Sequence, residues 1–139
     1  MAEPSLTTLI DIGDGEIQGD HKWIAFVDGK NGFFYGIPFN ARRVVKFNPL
    51  GKLLTEIGPD LGEGKEKWHC GVLANNGRIY CAPFCSNHIL KIDPIQGTVE
   101  TLDNVELPET AVRCLWASGA LATDNCIYYM PNHARRIMR

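Results

Sequence analysis

Residues 67–84 read KWHCGVLANNGRIYCAPF, and the same pattern stands 45 residues earlier and 48 residues later. The earlier copy, residues 22–39, keeps the Lys-Trp pair, the Asn-Gly pair, the tyrosine and the Pro-Phe pair. The later copy, residues 115–131, keeps the tryptophan, one glycine, Leu-Ala, Ile-Tyr and the proline. Its three additional residues lie between Glu106 and Cys114, in a connection, where a structural repeat tolerates insertion. The chain is therefore built on an internal repeat, which predicts its architecture.

Each copy divides into four short segments separated by turn residues. In the second copy we predict strands over Gly71–Leu73, Arg78–Ala82, Ile89–Ile92 and Thr98–Leu102. Asn-Gly supplies the positive-φ positions that a tight hairpin needs, and a proline followed closely by a glycine marks a further turn. Helical periodicity is missing, whereas short β-branched and aromatic runs recur along the chain. The sequence predicts an all-β protein made of four-stranded units.

A unit of four antiparallel strands repeated at this interval is typical of a β-propeller blade, although it also fits a sandwich or a barrel. We predict three four-stranded propeller blades per chain. The whole chain, residues 1–139, is interpreted as one repeat domain. Its repeats are placed at residues 22–66, 67–114 and 115–139, with residues 6–14 as a displaced fourth strand.

The repeats are out of phase with the chain by one strand. Residues 9–13 resemble residues 54–58 at the offset of 45, and residues 133–139 resemble residues 40–46. The strands therefore add up to three blades, fewer than the usual four to eight of a closed propeller. Two interpretations stay open: half of a six-bladed ring completed by a second chain, or a fragment of a larger propeller. Either one predicts a homo-oligomer or membership of a larger complex.

The consensus Trp-x-x-Gly-x-Leu-Ala-x-Asn-Gly-x-Ile-Tyr-x-x-Pro, with Ile-x-Lys-Ile-Asp-Pro-x-x-Gly after it, resembles tandem propeller repeats of algal and other protist proteins. The resemblance runs from Leu9 to Arg139, and the first copy departs from it at Phe26 and Asp28. More distantly the pattern is similar to six-bladed lactonase-like and NHL-type propellers. This resemblance implies a propeller fold, and no motif carries over the catalytic metal residues of those families.

Charge and hydropathy exclude several classes of function. A net charge of −2 and a pI near 6.1 provide no basic field for a nucleic-acid backbone. The sequence shows no basic leader and no apolar run of the length of a membrane span, so we expect no transmembrane segment. Five cysteines, an odd number, indicate reduced thiols. We expect an intracellular soluble protein in a reducing compartment, cytoplasmic or organellar.

Candidate binding residues lie in the connections between second and third strands. In a propeller these connections share one face with those between blades and form a natural binding rim. Paired arginines at equivalent places suit bidentate binding of carboxylate or phosphate groups, either on an anionic ligand or on an acidic patch of a partner protein. The alternative is that at most one arginine of each pair faces the rim, while the other pairs with a carboxylate of a neighbouring blade. The candidates are Phe39, Arg42, Arg43, Phe84, Asn87, His88, His133, Arg135 and Arg136.

Metal and cofactor binding are not expected. Cys81, Cys85 and His88 are close in sequence, yet their spacing only loosely resembles a zinc site, and we interpret the cysteines as small buried thiols in strands. Neither a nucleophile motif nor a phosphate-binding or dinucleotide-binding loop is present.

Two functional hypotheses follow. The first is a non-catalytic binding or scaffold propeller that mediates protein–protein interaction as a small subunit of a larger assembly, without a cofactor. The second is a six-bladed propeller enzyme, hydrolase or lyase-like, with a metal or small ligand in its central channel. For that channel, Asn31, Asn76 and Asp124 are the first candidates, although their turn positions explain them without a function. Since no catalytic constellation is visible, the sequence favours the non-catalytic hypothesis.

Overall fold

The computed structural model describes residues 20–103 and 114–139, and every regular element within these ranges is a β-strand. The first sheet has the order β1-β2-β3-β4 and the second β5-β6-β7-β8, while β9 and β10 form a third, two-stranded sheet. All neighbouring strands are antiparallel. The strands are β1 Trp23–Asp28, β2 Phe34–Pro38, β3 Val44–Asn48, β4 Leu53–Ile57, β5 Val72–Leu73, β6 Ile79–Cys81, β7 Ile89–Asp93, β8 Thr98–Leu102, β9 Trp116–Leu121 and β10 Ile127–Pro131. The all-β prediction and the four-stranded blade are confirmed.

The hairpin between the first two strands of each blade closes in the same way in all three copies. Gly32 and Gly77 have φ values of 90° and 79°, and Asn125, at the equivalent place in the third copy, has a φ of 68°. Asparagine is among the few side-chain-bearing residues that tolerate this region. In the first two copies the preceding asparagine donates from Nδ2 to a tyrosine hydroxyl, Asn31 to Tyr35 and Asn76 to Tyr80, each at 3.0 Å.

The third copy reverses this side-chain bond, because the hydroxyl of Tyr128 donates to the carboxylate of Asp124. Asn31, Asn76 and Asp124 thus bind the tyrosine of their own hairpin in all three blades. The second hypothesis had placed these residues at a central channel. Their contacts instead agree with the turn role that their sequence positions predict.

The tryptophan of each repeat is bonded inside its own blade. Its indole N–H donates to the backbone carbonyl of the residue 20 positions later, at 2.9 Å in the first blade, 2.8 Å in the second and 2.9 Å in the third. Trp68 and Trp116 are buried, and Trp23 is half-buried. A buried indole needs a partner for its N–H, and this carbonyl provides it. The donor–acceptor pairs are Trp23 with Arg43, Trp68 with His88 and Trp116 with Arg136.

Neighbouring blades pack through glycines on their first strands. A Cβ placed on Gly71 would lie 2.9 Å from Ile37 Cδ1 of the first blade, and one on Gly119 would lie 3.2 Å from Val72 Cγ2 of the second. Strand β1 contacts β5, and β5 contacts β9, so the first strands of the three blades lie side by side. The main core lies between the first two blades and contains Tyr35, Ile37, Val44, Trp68, Ile79, Cys81, Leu90, Ile92 and Val99.

Two sequence expectations concern the ends of the repeat array. In the third blade the expected third strand over residues 133–139 is present as one antiparallel bridge, in which Tyr129 and Met138 exchange backbone hydrogen bonds of 2.9 and 3.2 Å. The displaced fourth strand expected at residues 6–14 lies outside the described residues. The described ranges contain no helix long and apolar enough to cross a membrane.

Candidate functional site

One side of the blades is formed by the residues just before each first strand and by the connections after each second strand. In every blade a backbone N–H of the connection donates to the carbonyl of the residue two positions before the tryptophan of the repeat. We call the resulting set the rim row: His21 with Asn40, Glu66 with Cys85, and Cys114 with His133, at 3.1, 2.9 and 3.0 Å. Because the three pairs are equivalent in the repeat, they place six polar or thiol side chains on the same side of the blades.

Hydrogen bonds join the rim row from blade to blade. The carbonyl of Phe39 accepts the backbone N–H of Lys67, and the carbonyl of Phe84 accepts that of Leu115, both at 2.9 Å. The side-chain Oδ1 of Asn40 also accepts the backbone N–H of Glu66 at 2.9 Å. These hydrogen bonds therefore fix the position of the rim row of each blade relative to that of the next blade.

Three members of the rim row adopt left-handed backbone conformations. His21, Glu66 and Cys114 have φ values of 49°, 54° and 62°. For residues with a Cβ this region costs about 1–2 kcal/mol. The same conformation recurs at the same repeat position in each blade, so it belongs to the way the chain enters its first strand.

Glu66, Cys85 and Cys114 converge at the boundary between the second and third blades. The Sγ atoms of Cys85 and Cys114 lie 3.3 Å apart, and Cys85 Sγ lies 3.8 Å from a carboxylate oxygen of Glu66. All three ligand-type atoms lie within 4.8 Å of one another. Glu66 is exposed and both cysteines are half-buried, so the cluster is open to solvent. Within the described part of the chain, these three side chains form a cluster of the kind that could bind a metal ion.

Burial and the neighbouring thiol change the acidity of this cluster. The pKa of Cys85 rises to about 11, first because burial opposes the charged thiolate and then through its contact with Cys114. Burial raises the pKa of Cys70 to about 11 as well, and it raises the pKa of the fully buried Cys81 well above its usual value. Without a bound cation, the Cys85 side chain is therefore a neutral thiol at neutral pH.

The arginine pair of the first blade is bound to its own surroundings. Arg42 forms ion pairs with Asp60 at 2.7 Å and with Glu63 at 3.0 Å, and Arg43 donates to the carbonyl of Gly58 at 2.7 Å. These contacts correspond to the alternative in which rim arginines pair with carboxylates of the next connection. The carboxylates and the carbonyl of this connection thus bind the guanidinium groups that would otherwise be available to an anionic ligand.

The remaining polar candidates lie on the same side but are spread over two blades. Asn87, His88, His133, Arg135 and Arg136 are all exposed. The imidazole Nδ1 of His88 lies 3.1 Å from the Asp103 carboxylate, and its carbonyl accepts the Trp68 indole. Their role as a binding rim stays a prediction.

Phe39 and Phe84, two of the candidates for the binding rim, are buried, and their role in binding stays a prediction. Both rings are only 9% exposed. They pack around the imidazole of His69, with ring centroids 5.9 and 5.0 Å from it, and their own centroids lie 6.0 Å apart. Phe39 follows Pro38, the last residue of β2, and Phe84 follows Pro83, which forms an isolated bridge with Trp68.

Two residues of the cluster were missed by the sequence analysis, and a third was misread. Glu66 and Cys114 stand before first strands, and no local motif singles them out. Cys85 and Cys114 lie outside the strands and are half-buried, so the interpretation of the cysteines as buried strand thiols is wrong for these two. The repeat offers the signal that could have found them, because the equivalent positions all carry His, Asn, Glu or Cys.

Comparison with known proteins shows the fold and little else. No protein-family model matches the chain, and no curated protein matches its sequence. The structure is similar to that of selenomethionine-substituted virginiamycin B lyase from Staphylococcus aureus, with a TM-score of 0.62 and 14% sequence identity. The similarity covers 81% of this chain and 35% of the lyase chain, so this chain spans about a third of the length of that protein.

This comparison corrects the functional expectation. The prediction of a non-catalytic scaffold is wrong, because the similar structure is that of an enzyme, virginiamycin B lyase. The resemblance to algal and protist repeats stays a prediction, since no family model identifies the repeat type. What the comparison and the antiparallel four-stranded sheets together show is that the chain consists of β-propeller blades.

Proposed function

We propose that the chain is part of a propeller enzyme of the lyase class. The observation that carries the proposal is its structural similarity, over 81% of its residues, to virginiamycin B lyase. Fold alone does not determine activity, so the proposal also needs a chemically competent site. The cluster of Glu66, Cys85 and Cys114 supports it, since an exposed carboxylate and two thiols meet there within 4.8 Å.

A lyase breaks a bond by elimination, without consuming water. A base removes a proton from carbon, a double bond forms from that electron pair, and the leaving group departs with the electrons of the broken bond. The site must therefore provide a proton acceptor and positive charge or a donor beside the leaving group. A solvent-open carboxylate with two thiols offers groups for both needs, either directly or as ligands of a cation.

Mass balance tests the proposal. The purified chain, supplied with zinc, is incubated with virginiamycin B. The masses of the substrate and the products are then measured by mass spectrometry. Elimination gives products whose summed mass equals that of the substrate, and this is the expected result. A gain of one water per bond broken would assign the chain to the hydrolases, and no conversion would overturn the proposal.

We also propose that a second copy of the chain completes the ring. Phe26 on β1 is 57% exposed, although the equivalent Gly71 and Gly119 face the preceding blade. Met130 on β10 is 55% exposed, although the equivalent Ile37 and Ala82 are fully buried. The apolar face at Phe26 therefore corresponds to a surface that packs against a preceding blade. The face at Met130 corresponds to a surface that packs against a following blade.

These two faces are complementary, so two copies related by a twofold axis would cover both at once. Two sets of three blades make six, within the usual range for closed propellers. In this proposal residues 1–139 act as one repeat domain, with repeats at 22–66, 67–114 and 115–139. The five free thiols agree with a reducing compartment.

A further inference from the structure

We propose that Glu66, Cys85 and Cys114 bind one zinc ion at the boundary between the second and third blades. The ligand atoms come from two blades: Glu66 and Cys85 flank the first two strands of the second, and Cys114 precedes the first strand of the third. The site itself does not rest on the proposed lyase function; only its catalytic role does.

The distances are close to those that zinc requires. With Zn–S bonds of about 2.3 Å, two sulfurs on a tetrahedral zinc ion lie about 3.8 Å apart, and a sulfur and a carboxylate oxygen about 3.5 Å apart. In the metal-free geometry the two sulfurs are separated by 3.3 Å, and Cys85 Sγ lies 3.8 Å from Glu66 Oε2. Shifts of about half an ångström in half-buried side chains would reach the coordination geometry.

The donor set selects the metal. Thiolate ligands favour zinc and other soft ions, whereas magnesium and calcium require oxygen ligands only. Three groups that become anionic on ionisation meet here within 4.8 Å of one another, so a cation would offset their mutual repulsion. Zinc binding would replace the thiol protons, which pass to solvent.

A disulfide between Cys85 and Cys114 is the competing use of the same two sulfurs. It would need them about 2.05 Å apart, and it would give the nearby carboxylate no role. The approach of Glu66 to within 3.8 Å of Cys85 Sγ therefore favours a cation over a disulfide.

Three protein ligands leave the fourth position of a tetrahedral zinc ion open. This arrangement is typical of catalytic zinc, whereas structural sites use four protein ligands. Glu66 is exposed and both cysteines are half-buried, so the open position faces the side of the protein that carries the rim row. There zinc would bind an oxygen of a substrate and provide the positive charge that a leaving group needs.

The test uses the full chain, reduced and stripped of metal with a chelator, and titrated with Zn²⁺ in a competition assay. We expect one zinc ion per chain. Loss of a residue that only hydrogen-bonds to a metal ligand weakens metal binding about 10–100-fold. Loss of a ligand itself should have a larger effect, so Cys85→Ser and Cys114→Ser should each weaken zinc binding at least about a hundredfold. Glu66→Gln should weaken it about tenfold or more. Cys126→Ser changes a half-buried cysteine outside the cluster and should leave affinity unchanged.

Cobalt substitution reads the ligands directly. Co²⁺ bound in place of zinc should show a sulfur-to-metal charge-transfer band that Cys85→Ser and Cys114→Ser reduce and Cys126→Ser does not. Circular dichroism checks that each variant is folded. If a cysteine variant does not fold, Glu66→Gln, which keeps both thiols, still tests the site. Failure of the reduced chain to bind zinc, equal affinity in the cysteine variants, or a Cys85–Cys114 disulfide formed with zinc present would each overturn the site. Because no substrate is involved, a zinc-binding chain without lyase activity would overturn the proposed function alone.

Discussion

The Sγ atoms of Cys85 and Cys114 lie 3.3 Å apart although the two residues belong to consecutive blades. Their approach follows from the repeat, because Cys85 opens the connection after a second strand and Cys114 stands just before the next first strand. At the previous boundary Asn40 and Glu66 occupy the same places, and the Asn40 side chain accepts the Glu66 N–H. The two positions that form a hydrogen bond at one blade boundary thus carry a pair of thiols at the next.

The indole bond of the repeat should contribute measurably to stability. Trp68→Phe removes the N–H and leaves the carbonyl of His88 unpaired, so we expect the free energy of unfolding to fall by about 1–3 kcal/mol. Trp23→Phe is the matched control, because Trp23 is half-buried and water can replace its bond to Arg43 more easily. Urea unfolding followed by circular dichroism measures both. Equal losses in the two variants would contradict the importance of burial.

Close packing of the third blade predicts that Gly119 tolerates no side chain. A Cβ at Gly119 would lie 2.4 Å from Cδ1 of the buried Tyr129 ring, so Gly119→Ala should destabilise the protein by about 1–3 kcal/mol. Gly64→Ala is the control, since the nearest atom there, Lys67 Cγ, lies 3.6 Å away. Thermal unfolding of both variants checks this. A Gly119→Ala protein as stable as the control would show that the ring has room to move.

Asp93 should make stability depend on acid pH. Its pKa is lowered by backbone N–H bonds from Gln96 and Ile95 and by Arg78, whose Nε lies 2.9 Å from the carboxylate. A lowered folded-state pKa gives stability that is present above the unfolded pKa, about 3.9, and is lost as pH falls through the folded value. The difference in unfolding free energy between the wild type and Asp93→Asn should therefore stay constant from neutral pH to about pH 5 and shrink below about pH 4. A difference that grows on acidification would contradict the sign of this effect.

The proposed ring closure predicts the mass in solution. Light scattering should give twice the chain mass of 15.5 kDa for the wild type. Met130→Lys places a charge in the apolar interface and should give the single-chain mass, because burying an unpaired ammonium is costly. Leu50→Lys is the control, as Leu50 is 94% exposed in the turn between β3 and β4. A single-chain mass for the wild type, or a dimer of Met130→Lys, would contradict the assembly.

Local pattern predicted the blades well because their determinants are local. The strand Thr98–Leu102 was predicted with the bounds that it has, and the Asn-Gly turns have the expected positive φ at Gly32 and Gly77. Each depends on residues a few positions apart, whose turn chemistry and alternation are visible in one sequence.

The site was not predictable in the same way because it joins distant residues. Cys114 follows Glu66 by 48 residues, and only the geometry of consecutive blades brings them together. The burial of Phe39 and Phe84 likewise depends on His69 of the second blade, which packs against both rings. The sequence analysis kept a hydrolase- or lyase-like enzyme only as its second hypothesis, because groups that converge across a blade boundary leave no contiguous motif.

The most direct test of the account is the turnover of virginiamycin B by Glu66→Gln compared with Glu63→Gln. Both variants neutralise an exposed glutamate of the same connection, but only Glu66 belongs to the cluster, while Glu63 pairs with Arg42. We expect the wild type and Glu63→Gln to release products without added water. We expect Glu66→Gln to lose at least about tenfold in rate, the lower range for loss of an acid–base or metal-ligating group. Equal rates in the two variants, or no conversion by the wild type, would contradict it.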